Sequence, residues 1–216
     1  MNIVITGANG HLANQLLEYY SNQAAFVVGT VRHLSKINKP KSNEMIIEMD
    51  PLDHYSINDA IAWIQNESGD IHAWLNIIGG FMCGHRVEQG HDDWIFMYNT
   101  NFMTTLNCCQ QILPIMKTNN FGKIINMGAK TALNGRPLSG AYCASKLAVH
   151  SLTQNIALEN TKHITCNAIL PDIIDTTNNR KNMPDANFSS WTTSNQISKQ
   201  IGTILTSSIN GQLITI

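Results

Sequence analysis

The sequence predicts an α/β fold, a doubly wound parallel sheet of about seven strands with helices on both faces. Two observations predict it. Short apolar, β-branched runs alternate along the chain with longer amphipathic stretches, as successive strand–helix units require. The first such run passes directly into a glycine-bearing turn, TGANGHLA from Thr6 to Ala13, and from there into a helical pattern.

Each element follows from its own stretch. Strands are expected at Asn2–Thr6, Phe26–Val31, Met45–Met49, Ala73–Ile78, Lys123–Met127, Ile164–Leu170 and Gln212–Ile216, all short and rich in Ile, Val and Leu. Helices are expected at His11–Tyr20, Tyr55–Asn66, a long Asp93–Lys117, Ala141–Glu159, and a polar one at Thr193–Ser207. Pro114 removes one helical hydrogen bond and is expected to end or kink the Asp93–Lys117 helix. Lys39–Asn43, with Pro40, is expected to form a surface loop. No repeat, low-complexity tract or linker divides the chain, so residues 1–216 are expected to form a single domain, large enough to bury a core without disulfides or metals.

Bulk properties exclude several functions. Fourteen Lys and Arg against 15 Asp and Glu leave a net charge of −1, which gives no electrostatic reason to expect nucleic acid or a membrane surface as partner. The five cysteines, Cys83, Cys108, Cys109, Cys143 and Cys166, are odd in number and lack C-x-x-C spacing, so neither a disulfide framework nor a zinc site is indicated. The eight histidines form no H-x-x-x-H pair, and no metal is expected. A reducing cytoplasm fits this thiol usage, and no apolar run approaches the roughly 18 residues of a membrane span.

The chemistry-bearing residues begin in the first turn. Gly7 and Gly10 permit a tight bend whose backbone N–H groups, together with the following helix N-terminus, can face a pyrophosphate. Thr6, Asn9, His11 and Leu12 complete this loop, making it a candidate dinucleotide site and the fold Rossmann-type. The third small position is Ala13 rather than glycine. After the second strand no carboxylate is present to bind the ribose hydroxyls; Arg32 stands there and can pair with a 2′-phosphate, which favours NADPH over NADH, although NADH remains possible. Asp50, after the third strand, is placed either to accept from an adenine amino group or to cap the next helix.

Farther along, AYCASKLAVHSL (Ala141–Leu152) sets Tyr142 and Lys146 four apart, on one helix face. A tyrosine keeps its proton to about pH 10, and a neighbouring ammonium lowers that value, so the pair can pass a proton. His150, one turn on, is expected to pack in a helix interface, and vicinal Cys108 and Cys109 to serve as small buried hydrophobes. His85, Arg86, His91 and Asp92 form a polar stretch after the fourth strand.

With TGANGHLA, Asp50, LNIIGG (75–80), Asn101 in WIFMYNTNF, NMGAK, YCASK and CNAILPDIIDTT (166–177) in this order, the chain resembles the short-chain dehydrogenase/reductase family over essentially its whole length. The resemblance implies Tyr142 as general acid, Lys146 holding the nicotinamide ribose and lowering the tyrosine pKa, and Asn101 supporting a proton relay. It further implies Asn76 and Gly79 on the cofactor floor, and Ile174 and Thr176, after Pro171, against the carboxamide. The two long helices of this family commonly pair across a two-fold axis, which implies a homodimer or homotetramer.

One departure stands out: the position of the family's catalytic serine is Ala129. Such a hydroxyl donates to the oxygen that gains charge, and losing one donor costs about 10²–10³ in rate. Either the protein is a weak catalyst, or Ser139 or Thr131 replaces the serine, or the substrate never needs it. GAKTALNG, AVHSLTQ and NRKNMPDANFSSW are similar to the dihydropteridine reductase branch, which also carries alanine there and reduces a quinonoid ring whose charge is quenched on nitrogen. Phe81 falls where that branch presents an aromatic, and would stack a flat ring or else pack in the core. The expectation is therefore an NAD(P)H-dependent reductase of a conjugated ring or carbonyl. Alternatives are a general NADPH carbonyl or quinone reductase and a non-catalytic dinucleotide sensor.

Overall fold

A computed structural model describes residues 1–23, 25–34, 43–160 and 163–216. Seven parallel strands form one sheet in the order β3-β2-β1-β4-β5-β6-β7. They are β1 (Asn2–Thr6), β2 (Phe26–Val31), β3 (Glu44–Glu48), β4 (Ala73–Asn76), β5 (Gly122–Met127), β6 (Ile164–Leu170) and β7 (Leu213–Thr215). Helices α1 (His11–Ser21), α2 (His54–Ser68), α3 (His91–Met97), α4 (Thr104–Thr118), α5 (Gly140–Glu159), α6 (Thr177–Asn182) and α7 (Ser194–Leu205) join them. Because strand side chains alternate between faces, the apolar runs build two cores. Ile3, Ile5, Leu75 and Ile125 pack on the side of α1 and α7, with Leu16, Ile197 and Ile201. Val4, Trp74, Ile124 and Cys166 pack on the other, with Ile57, Ile64, Ile112 and Ile156. Cys108 and Cys109 are buried there as expected.

The strand order reverses between β1 and β4, and in such sheets the crevice beyond the carboxyl ends at that switch is where ligands bind. The Thr6 hydroxyl spans it, accepting from the N–H groups of Ile77 (3.0 Å) and Ile78 (3.3 Å). Those two residues therefore leave the ladder, and β4 stops at Asn76 instead of reaching Ile78.

The expected Asp93–Lys117 helix begins earlier, at His91, and is not uniform: between α3 and α4 the chain makes a π-helical turn, Tyr98–Met103. Pro114 neither ends nor visibly breaks it, since α4 continues to Thr118. Pro114 lies on the exposed side of the helix with Gln110, the residue whose carbonyl loses its helical donor. The last helix, expected to be polar, is amphipathic and shorter; Ile197, Ile201, Ile204 and Leu205 are buried, and a Thr193–Gln196 capping box fixes its start. α6 has no apolar period to announce it, and none of its residues is buried. The loop expected around Pro40 lies outside the described residues.

Candidate functional site

The first strand delivers Gly7 to the crevice with φ +75°, and a Cβ there would come within 2.8 Å of Ile78 Cγ1, so only glycine fits. Gly10 donates to the Gly7 carbonyl (2.8 Å) and stands as N-cap of α1, with no side chain capping that helix. The first-turn N–H groups of α1 are thus left open to an anion. Asn9 and His11 are exposed, whereas Leu12 and Ala13 turn into the core. The close approach is made at a place no sequence motif marks: Gly29 of β2, where a Cβ would lie 2.7 Å from that of Ala8. A bare turn, an uncapped helix start and no side chain at 7 or 10 fit a dinucleotide pyrophosphate.

Arg32 and His33 follow β2 and are exposed, and Arg32 has no carboxylate partner among the described residues. Asp50 does not cap α2, which is capped by Asp53 accepting from the Tyr55 N–H; Asp50 Oδ1 instead accepts from the Leu52 N–H (2.9 Å) in a local turn.

Helix α5 carries Tyr142, Ser145 and Lys146 to the same end of the sheet. Lys146 is buried, and its Nζ donates to the Met127 carbonyl at 2.7 Å. Gly79 has no room for a side chain: a Cβ would lie 2.9 Å from Asn101 Oδ1 and 3.1 Å from Lys146 Nζ. Gly79, Asn101 and Lys146 therefore meet at one point. Asn101 reaches it from the π turn, a distortion common at functional positions, and is fully buried. Its Oδ1 accepts from the Gly80 N–H (2.8 Å), and its Nδ2 donates to the Gly80 carbonyl (3.1 Å) and to Ser145 Oγ (3.0 Å). Ser145 in turn donates to the Tyr142 carbonyl at 2.8 Å. Neither the π turn nor Ser145 was visible from the sequence as part of a site.

Burial pushes the Lys146 ammonium down to about 8. It pushes the Tyr142 phenol up, with Cys143 adding to the rise. The expectation that Lys146 lowers the phenol therefore does not hold in this arrangement, where Nζ is turned to Met127 and desolvation dominates at the tyrosine. The Tyr142 ring meets Phe81 edge to face, with centroids 4.9 Å apart at 78°. Phe81 is 52% exposed, which rules out core packing as its explanation. Ala129 is buried in a small apolar cluster with Ala132 and Cys143, against Tyr142. Ser139 sits at the N-cap of α5, with its buried hydroxyl unpartnered among the described residues, while Thr131 lies in the short helical turn Lys130–Leu133.

The remaining expected residues are placed as follows. Asn76 points to the opposite side of the sheet; its amide accepts from Trp74 Nε1 (2.9 Å) and donates to Asn126 Oδ1 (2.8 Å) and the Cys109 sulfur (3.4 Å), so its side chain is not free to line a cofactor floor. The Pro171 carbonyl accepts from the Lys130 N–H (3.0 Å). Ile174 packs on the core and bridges Thr192. The Thr176 hydroxyl caps α6, accepting from Asn179 N–H (3.1 Å). A bidentate Arg180–Asp175 pair (2.6 and 2.8 Å) and Arg180 over the Phe188 ring (4.7 Å) brace this segment. His85 hydrogen-bonds Asp93 near Ser139.

An uncapped glycine turn and a helix-borne Tyr–Lys pair at the switch point of a parallel sheet define the class, and comparison with known proteins agrees. The family described as short chain dehydrogenase matches residues 1–187, and the chain belongs to that family of oxidoreductases. It is 32% identical over 158 residues to the 3-ketodihydrosphingosine reductase of Bacteroides thetaiotaomicron, covering 73% of this chain and 57% of that protein. It is 26% identical over 180 residues to the 3-oxoacyl-[acyl-carrier-protein] reductase FabG of Haemophilus influenzae, covering 80% and 74%. Among solved structures, ElxO with NADP bound superposes with a TM-score of 0.92 at 25% identity, covering 100% of this chain and 96% of that one. Among the described residues no helix is long and apolar enough to cross a membrane.

Proposed function

We propose that this chain is an NADPH-dependent reductase of a flat conjugated acceptor, a quinonoid pterin being the expected type, with Tyr142 supplying the proton. The observation that carries the reading is the meeting of Asn101 and Lys146 at Gly79, with Tyr142 on the same helix as Lys146 and its ring against exposed Phe81. The nicotinamide, when bound, supplies the hydride. Gly7, Gly10 and the first turn of α1 would hold its pyrophosphate, and Lys146, beside Gly79, would donate to its ribose. An ammonium has three protons; Met127 takes one, and the others serve the ribose and the phenolate that Tyr142 becomes. Asn101 holds Gly80 and therefore Phe81, which offers its face or edge to a flat ring. Tyr142 donates its proton to the acceptor atom that gains the electron pair. Burial of the phenol keeps that proton in place across the neutral range until the acceptor needs it.

The adenosine 2′-phosphate is assigned to Arg32, an exposed guanidinium without a carboxylate partner among the described residues. Arg32→Ala is expected to weaken NADPH binding about tenfold or more while leaving NADH nearly unchanged, as loss of one charge-assisted pair implies. Fluorescence titration of both cofactors checks this. NADH binding more tightly than NADPH in the unmutated protein would contradict it.

Ala129 favours a ring over a ketone, because a buried methyl among Ala132 and Cys143 offers an oxyanion no donor. Ala129→Ser is expected to leave pterin reduction little changed and to raise ketone reduction by about 10²-fold. A ketone reductase is the second reading, favoured by the Ser139 hydroxyl at the start of α5, unpartnered among the described residues. High ketone activity in the unmutated protein, absent pterin turnover, would select it. Exposed Ile95, Phe96, Leu147 and Leu158 on α3 and α5 support pairing of two copies.

A further inference from the structure

Helix α5 grips the end of β5 with two side chains one turn apart. Lys146 takes the Met127 carbonyl, and His150 Nε2 accepts from the Ala129 N–H at 3.2 Å. The residues on either side of Ala129 are pinned elsewhere: Gly128 N–H donates to the Ile169 carbonyl (2.8 Å) and Lys130 N–H to that of Pro171 (3.0 Å). Only the Ala129 N–H turns to α5. Gly128 is glycine for the same reason, since a Cβ there would lie 2.6 Å from His150 Nε2 and 2.8 Å from Leu170 Cδ1. The imidazole is 3% exposed, and its Nδ1 has no hydrogen-bond partner among the described residues. With Nε2 accepting, the ring proton must sit on Nδ1.

Packing alone does not account for this. A leucine would fill such a space but leave the buried Ala129 N–H without the acceptor that His150 Nε2 supplies. What Nε2 holds is the backbone of the residue standing at the family's serine position, whose methyl belongs to the small cluster with Ala132 and Cys143 against which Tyr142 packs.

We infer that His150 is a positioning residue of the reduction site: its neutral, Nδ1-protonated imidazole fixes the Ala129 backbone and so sets the wall on which the Tyr142 ring and the acceptor lie. The inference rests on the reading of Tyr142 as proton donor. The groups facing the imidazole are Lys146 from its own helix, the Gly128 and Ala129 backbone after β5, and the Leu170 side chain of β6. Burial, then the Lys146 charge, pushes its pKa down to about 4, so it keeps an acceptor at Nε2 over the working range.

Two measurements on the full chain test it. Long-range 1H–15N correlation of histidine-labelled protein, with the His150 signals assigned by their loss in His150→Gln, is expected to show the Nδ1–H tautomer, neutral down to about pH 5. In steady state with NADPH, His150→Leu is expected to lower kcat about tenfold with KM for NADPH unchanged, whereas His150→Gln, whose amide oxygen can accept the same N–H, retains most of the activity. An Nε2–H tautomer, or Gln and Leu variants of equal activity, would overturn the inference; if the Leu variant does not fold, the tautomer decides. Failure of the underlying reading looks different: Tyr142→Phe would remain active whatever the tautomer.

Discussion

Tyr142→Phe is expected to lower turnover by about 10²–10⁴-fold, the range for loss of a general acid, while NADPH still binds. The separation of effects follows from geometry. The Gly7–Gly10 turn, Lys146 and Asn101 are held by contacts that do not involve the phenol oxygen: Gly10 N–H by the Gly7 carbonyl, Lys146 by the Met127 carbonyl, and Asn101 by Gly80 and Ser145. The Phe81 edge contact is made with the ring and survives removal of the hydroxyl. Single-turnover kinetics with preformed NADPH complex reads the chemical step directly. Near-full activity in the phenylalanine variant would show that Tyr142 is not the acid.

Lys146→Met is expected to fail differently, because one ammonium is assigned to ribose and phenolate together. NADPH affinity falls about 10–10²-fold, as for loss of a charged hydrogen-bond donor, and turnover falls with it. Stability moves the other way. Burial lowers the Lys146 pKa from 10.5 to about 8, so below pH 8 the lysine is charged in both states and the fold carries the full cost of burying it, roughly 3 kcal/mol. As pH rises from 8 towards 10.5 the unfolded chain binds more protons than the folded one, and that cost is progressively relieved. The methionine variant is therefore expected to melt no lower than the unmutated protein at pH 7, with any advantage shrinking by pH 9.5. The unmutated enzyme's reduction rate is expected to decline as pH passes through about 8, where this ammonium loses its proton. Unchanged NADPH binding in the variant would contradict the assignment.

The fold was largely legible because its signals are local and redundant. Seven apolar runs became seven parallel strands, and Gly7 and Gly10 marked the turn at the first of them. What the sequence withheld depends on tertiary contact. The Asp93–Lys117 pattern has a helical period throughout, yet Asn101 is buried by a π turn that periodicity does not encode, and Pro114 was tolerated because it and Gln110 lie on the exposed side of the helix. Asn76 was expected on the cofactor floor, but strand alternation turns it to Trp74 and Asn126 on the other side. The Tyr142–Lys146 spacing was legible as a shared helix face; that burial shifts both groups away from their ordinary values required knowing how deeply each is buried. His150 read as packing because its partner is a backbone N–H, which no sequence pattern records.

NADPH oxidation by the unmutated protein, measured side by side with a quinonoid dihydropterin, a quinone and a simple ketone, decides whether this is a reductase of flat conjugated rings. Rapid oxidation is expected with the pterin and little with the ketone. Tight NADPH binding with no oxidation by any of the three acceptors would contradict it and leave a dinucleotide sensor in its place.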